Sequence, residues 1–266
     1  MINNAIEGRS IENGFDETKM SALETKLSHY LAANSATRSQ LAEEKAKINE
    51  LISEISHQTK TPIANILLYT QILEECDLPD RERLCVQSLV GQAEKLNFLI
   101  TSLVKISRLE TGIISVSPKR SDIQSLLDEV IRQVAPKAQC KGISLACEKT
   151  EASAVFDPKW TTEAIYNIVD NAAKYTPQGG SIHICVAVYE LFARIDIKDT
   201  GIGISEEETA KVFTRFYRSP TVSDEEGVGI GLYLARQIIA DEGGYIKVQS
   251  ELGKGSTFSV FLPLDS

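Results

Sequence analysis

The stretch Thr161-Thr162-Glu163-Ala164-Ile165-Tyr166-Asn167-Ile168-Val169-Asp170-Asn171-Ala172-Ala173-Lys174 decides how the second half of this chain is read. It reads as a helix, and Asn167, Asn171 and Lys174 follow one another at spacings of four and three. Those spacings put all three side chains on one helical face. Two carboxamide oxygens and an ammonium on a single face suit a divalent cation and the phosphates it bridges. The sequence contains no G-x-x-x-x-G-K-S/T element, so a nucleotide site of the P-loop kind is excluded.

Working outward, Asp199-Thr200-Gly201-Ile202-Gly203 directly follows a strand-like run. A carboxylate at a strand end, followed by glycines that admit close backbone approach, suits the amino group and ring edge of adenine. Gly227-Val228-Gly229-Ile230-Gly231 then opens a helix at Leu232, where glycines and N-terminal amides form an anion cradle. Gly253-Lys254-Gly255-Ser256-Thr257-Phe258 turns into the last strand. Each element alone is weak. Their joint order and spacing resembles the ATPase domain of histidine kinases, shared with DNA gyrase, MutL and the heat-shock chaperones of that fold, over about residues 113–266.

The resemblance implies ATP with Mg²⁺ as ligands. It implies Asn171 as the Mg²⁺ ligand with Asn167 beside it, Lys174 as a phosphate contact, Tyr175 as a ring over the nucleotide and Asp199 as the adenine acceptor. Gly201, Gly203, Gly227, Gly229 and Gly231 become the glycines bounding a lid, Ser205 to Glu226, that closes around the nucleotide. Within it, Phe213 and Phe216 read as packing anchors, Arg218 as a cation able to reach the γ-phosphate, and Asp224-Glu225-Glu226 as a solvated tip.

The first half has a different texture. From Ser21 to Leu73, Ile48, Ile52, Ile55, Thr59, Pro62, Ile66, Tyr69 and Leu73 alternate at spacings of four and three down one helical face. After a polar break, Glu74 to Asp80 with Pro79, a second stripe runs through Leu89, Ala93, Leu96, Ile100, Leu103 and Ile106 towards Gly112. This pattern predicts an antiparallel helical hairpin, and two copies forming a four-helix bundle would bury what one hairpin leaves bare. A homodimer is expected.

Ser56-His57-Gln58-Thr59-Lys60-Thr61-Pro62 lies midway along the first helix, with His57 pointing away from the Ile55 stripe. The run resembles the H box of the dimerising phosphoacceptor domain of histidine kinases, over about residues 40–110. That implies His57 as the nucleophile that takes the γ-phosphoryl group, and Thr61, four residues on, as a residue that directs water when a partner is dephosphorylated. Pro62 removes the donor for the Gln58 carbonyl and predicts a bendable point. Gln58 departs from the family's acidic residue, and Glu54, three residues before His57, is the candidate that orients or deprotonates it.

The chain of 266 residues accommodates about two domains. The expected division is residues 1–20, disordered or engineered (Ile6-Glu7-Gly8-Arg9 has the pattern of a protease site), then 21–112 and 113–266. The fold class is multidomain, α and α/β: a helical hairpin in a dimeric four-helix bundle, then an α/β sandwich that binds ATP. Its strands are expected at Ile182 to Val188, Ala193 to Ile197 and Thr257 to Leu262, its other helices at Ile123 to Val134 and Leu232 to Asp241. A net charge of −9 argues against nucleic acid and obliges a polyphosphate to find local cations. Five scattered cysteines read as buried free thiols in a reducing compartment, and His29 and His183 as structural or solvent-facing. No run is long and apolar enough to span a membrane, so a cytoplasmic location is expected, with any membrane contact made through segments absent from this chain.

The expected activity is therefore ATP-dependent phosphorylation of His57 and transfer to an aspartate on the receiver domain of a response regulator. Its rival is a gyrase- or chaperone-type ATPase with Glu163 aimed at water; a non-catalytic scaffold is the third reading.

Overall fold

The computed structural model describes residues 19–76, 78–110, 116–222 and 228–265. The readings made at residues 1–18, Thr111-Gly112-Ile113, Asp224-Glu225-Glu226 and Gly227 lie outside these residues. Two compact units divide the chain, Met1–Thr61 and Pro62–Ser266.

Helix α1 spans Lys19–Glu74, with Pro62 inside it. Within the first unit it exposes His57 and buries Ser56. The second unit begins with the end of α1 and continues into α2, Asp80–Glu110. Ile63 and Thr70 on α1 and Val86 and Ala93 on α2 are buried, each pair seven residues apart, and form the hairpin's own seam. Of the stripes read from the sequence, Ala93 and Ile106 are buried, whereas Ile66, Tyr69 and Leu73 on α1 and Leu89, Leu96 and Leu103 on α2 are exposed in the single chain. Two helices cover only one face of each other, so a second apolar face is left for a further partner.

The α/β part runs β1 (Lys119–Asp122), α3 (Ile123–Cys140), β2 (Ser144–Cys147), β3 (Ser153–Phe156), α4 (Pro158–Tyr175), β4 (Ser181–Val188) and β5 (Phe192–Asp199). The short α5 (Glu206–Thr209), α6 (Gly231–Asp241), β6 (Tyr245–Glu251) and β7 (Gly255–Pro263) complete it. Five strands form one sheet in the order β2-β4-β5-β7-β6, parallel only between β2 and β4; β1 and β3 pair separately. Alternation decides which face is covered. Ile182 and Ile184, Ile195 and Ile197, and Val260 and Leu262 point into one core with Leu127, Val130, Ile165, Ile168, Ala235 and Ile238 of the helices. The opposite face carries His183, Arg194, Asp196 and Lys198, none of them buried. This is a two-layer sandwich with helices on one side.

Asp122 and Asp157 start α3 and α4, each accepting backbone N–H bonds from the first turn, and Pro158 opens α4. None of the five cysteines is buried: Cys76, Cys85 and Cys140 are exposed and Cys147 and Cys185 half-buried. That corrects the expectation of buried thiols; Cys76 follows α1 and Cys140 ends α3, where no second layer covers them. Among the described residues no helix is long and apolar enough to cross a membrane.

Glu242, just after α6, is a buried carboxyl group that no sequence signal marked. The Asp157 N–H donates to it at 3.0 Å, and the Thr161 hydroxyl lies 2.9 Å from both its oxygens. Burial pushes its pKa from 4.5 up to about 7, against the lowering by those donors. Between these values the folded chain keeps a proton that the unfolded chain has released, so the contribution is full below pH 4.5 and lost as pH rises through about 7. Glu242→Gln should flatten the fall in stability between about pH 5 and about pH 8 by something on the order of 2 kcal/mol. Denaturant unfolding at both pH values checks this, and parallel slopes for the two proteins would exclude it.

Candidate active site

A cavity of about 910 Å³ opens at the edge of the α/β layer, where α4, the end of β5, the start of α6 and β7 converge. Asn167, Asn171, Lys174 and Tyr175 line it from α4. Asp199 and Gly203 line it from the end of β5, Arg218 from the segment before α6, and Gly229 and Gly231 from the approach to α6. Gly201 is buried behind this wall: a Cβ there would lie 2.7 Å from both the Asp199 carboxylate and the Tyr175 carbonyl.

Each side chain is held differently. Asn167 donates through Nδ2 to the Glu163 carbonyl at 2.7 Å. Its Oδ1 lies 2.7 Å from where a Cβ on Gly231 would stand, so only glycine lets α6 begin this close to α4. The Asn171 side chain makes no hydrogen bond among the described residues and is half-buried, which leaves its carboxamide oxygen available as a ligand. Lys174 lies 4.9 Å from the centre of the Tyr175 ring. Asp199 is buried, and its Oδ1 accepts from Gly201 N–H at 2.8 Å and Ser256 N–H at 3.3 Å. Burial raises its pKa more than these two donors lower it.

The approach to α6 is closed by backbone. Phe216 N–H donates to the Gly229 carbonyl at 2.9 Å, and both residues have positive φ, 61° and 74°. A Cβ on Gly229 would lie 2.4 Å from the Tyr217 carbonyl, so the loop closes tightly there. Phe213 is buried against Phe258 with ring centroids 6.3 Å apart, but Phe216 is 55% exposed. Phe216 is therefore not a packing anchor; its left-handed backbone turns the ring out of the core. Arg218 donates through Nη2 to the Val222 carbonyl at 2.8 Å.

Two residues that the sequence did not mark organise this region. Lys141, after α3, donates to the carbonyls of Ala173, Lys174 and Thr176 and so caps the end of α4. Glu208 on α5 accepts from Tyr217 at 2.9 Å and Ser205 at 2.8 Å; hydrogen bonds from Ser219, Ser205 and Tyr217 hold its pKa below the usual range. Glu163, the carboxylate an ATPase of the gyrase type would aim at water, instead takes a 2.7 Å bond from Lys105 of α2.

The exposed His57 makes no hydrogen bond or ion pair among the described residues. Glu54 accepts from the Gln58 amide at 3.1 Å rather than from the imidazole, and Thr61 is exposed one turn beyond His57.

The chemistry of this donor set fits a magnesium nucleotide: one unengaged carboxamide oxygen for a hard cation, a buried carboxylate for a ring amino group, and glycine-lined amides for phosphate. Comparisons agree with it. Residues 47–112 match the His Kinase A (phospho-acceptor) domain, and residues 156–266 match the Histidine kinase-, DNA gyrase B-, and HSP90-like ATPase family. The chain is 32% identical over 221 residues to sensor protein SrrB of Staphylococcus aureus, a match covering 80% of this chain and 38% of SrrB. It thus spans well under half the length of that curated relative. Among solved structures, full-length ShkA in complex with AMPPNP superposes with a TM-score of 0.68 at 27% identity, over 82% of this chain and 46% of ShkA. The mycobacterial sensor histidine kinase MprB gives 0.50 at 26%, over 55% of this chain and 97% of MprB. With a phosphoacceptor helix and an ATPase-type sandwich following one another on a single chain, the protein belongs to the sensor histidine kinases of two-component systems.

Proposed function

We propose that this chain is an ATP-dependent protein histidine kinase that phosphorylates its own His57 and passes the phosphoryl group to an aspartate on the receiver domain of a response regulator. It acts as a homodimer through the hairpin, whose exposed stripe at Ile66, Tyr69, Leu89 and Leu96 supports the need for a second copy. It works in the cytoplasm, with any membrane attachment supplied by segments outside this chain. The working division lies near residue 113, between hairpin and nucleotide domain.

The observation that carries the reading is the convergence of Asn167, Asn171, Lys174 and Asp199 on one cavity in a chain that also presents an exposed H-box histidine. In this reading Asp199 accepts a hydrogen bond from the adenine amino group, Tyr175 lies over the nucleotide, and Lys174 and the amides near Gly229 and Gly231 hold phosphate oxygens. Asn171 ligates Mg²⁺, with Asn167 fixing the approach of α6. The cation supplies charge neutralisation across the phosphates. A neutral His57 nitrogen attacks the γ-phosphorus; the N–P bond forms as the bond to the bridging oxygen breaks, and ADP leaves. The imidazole proton passes to Glu54, whose carboxylate the Gln58 amide holds in place. Arg218 balances charge on the moving phosphoryl group after leaving the Val222 carbonyl, and Thr61 directs water onto the partner's phosphoaspartate when that group is hydrolysed to aspartate and phosphate.

The test is incubation with γ-³²P-ATP and Mg²⁺. The parent should gain acid-labile, alkali-stable label, and His57→Gln should gain none, a loss of at least about 10³-fold for a missing nucleophile. Glu54→Gln should label about 10²-fold more slowly. Label that persists in His57→Gln refutes the kinase reading; unchanged labelling in Glu54→Gln removes only the proton acceptor.

A further inference from the structure

The nucleotide cavity has a wall that belongs to neither the sheet nor its helices. Ser88, Gly91, Gln92, Lys95 and Phe98 on one face of α2, with Glu94 beside them, line it together with Asn167, Asn171 and Lys174 of α4. The two helices are tied further along, where Lys105 Nζ meets Glu163 Oε1 at 2.7 Å with both side chains about two-thirds buried, 36% and 33% exposed. Ile106 is buried in the core of the nucleotide domain and Leu99 packs against it.

That tie sets a register. From Lys105 back to Lys95 is ten residues, about 15 Å of helix, and from Glu163 forward to Lys174 is eleven, about 16 Å. The α2 positions at the Lys95 level and the Asn171–Lys174 end of α4 line one cavity. The local cations are unequally committed. Lys137 is paired with Asp170, Lys141 with three carbonyls, and Lys174 sits over Tyr175. The Lys95 ammonium makes no hydrogen bond, ion pair or ring contact among the described residues. Beside it, Gly91 has no atom within 4 Å of a would-be Cβ, so the cavity is open there. In a chain of net charge −9, an uncommitted ammonium in a phosphate cavity is a scarce resource.

We propose that α2 is a working wall of the nucleotide site, in which Lys95 contacts the polyphosphate of ATP and the Lys105–Glu163 pair holds Lys95 in reach. Lys95 is then a binding residue and Lys105 a positioning residue acting through it. The hairpin reads whether a triphosphate is present through one side chain, separately from the lid. This rests on the nucleotide reading above and adds to it a contact from the hairpin.

The test is equilibrium binding of ATP and of AMP, with Mg²⁺, to the full chain. Lys95→Gln should weaken ATP about five- to tenfold while leaving AMP within about twofold, and Lys95→Arg should restore ATP binding. Lys105→Glu and Glu163→Lys should each weaken ATP to a similar degree, and the double variant carrying both should recover most of the loss. Lys95→Gln binding ATP as tightly as the parent overturns the contact, and a double variant no better than the singles overturns the positioning role. A parent chain that binds no ATP would sink the nucleotide reading itself, so the two failures are distinct.

Discussion

Asp199→Asn should lower ATP affinity about 10²-fold while leaving the fold intact, because the substitution creates a conflict that rotation cannot relieve. Asp199 Oδ1 already serves two backbone donors, Gly201 and Ser256. If asparagine keeps its oxygen there, its amide group faces the adenine amino group, donor against donor. If it flips, the amide faces the Gly201 and Ser256 N–H groups instead. Either orientation leaves a buried donor opposed by another donor, each about 1–3 kcal/mol. The same change should narrow the preference for ATP over GTP, since guanine presents a carbonyl where adenine presents an amine. Calorimetric titration with both nucleotides checks this; an asparagine variant with parental ATP affinity would remove Asp199 from the adenine contact.

The second large effect is on stability. Gly255 opens β7 at φ 99°, and a Cβ there would lie 2.0 Å from the Asp199 carbonyl oxygen and 2.9 Å from Thr200 Cα. Both obstacles are backbone, at the junction of two central strands, so no side chain can swing away. Gly255→Ala should cost about 3–5 kcal/mol, combining positive-φ strain with overpacking. For a chain of this size that is a fall of about 10 °C in the unfolding midpoint. Gly91→Ala provides the contrast: it is helical, with nothing within 4 Å, and should gain about 0.5–1 kcal/mol. A scan in which both variants melt with the parent would contradict the steric account.

Local pattern made much of this legible. α4, β4, β5, β7 and α6 announce themselves by period, and the four motif elements of the cavity sit at their ends. What stayed hidden was carried by pairing across long sequence separations. β1, Lys119-Arg120-Ser121-Asp122, has no alternation and is a strand only because β3 lies beside it. Lys141 and Glu208 look like ordinary surface charges until the ends of α4 and the Tyr217 region come to them. The Lys105–Glu163 bond spans 58 residues, beyond any helical spacing. Phe216 misled because a second phenylalanine three residues after Phe213 reads as a packing residue, whereas its φ of 61° decides where the ring goes. The hairpin stripe was seen, but periodicity cannot say which of two apolar faces one chain covers for itself.

Asp157 does more than start α4. One carboxylate oxygen accepts from Lys159 and Trp160, the other from Ser117 N–H at 2.9 Å, while its own N–H is held by Glu242. The strand of backbone arriving from the hairpin is thus fastened to the first turn of the helix that bears Asn167 and Asn171. A hydrogen bond tolerates only a few tenths of an ångström of stretch, so a pull of an ångström at Ser117 must either unseat the helix cap, at about 1 kcal/mol, or drag the helix with it. A displacement of the backbone at Ser117 is therefore passed to the helix bearing Asn167 and Asn171 through one carboxylate.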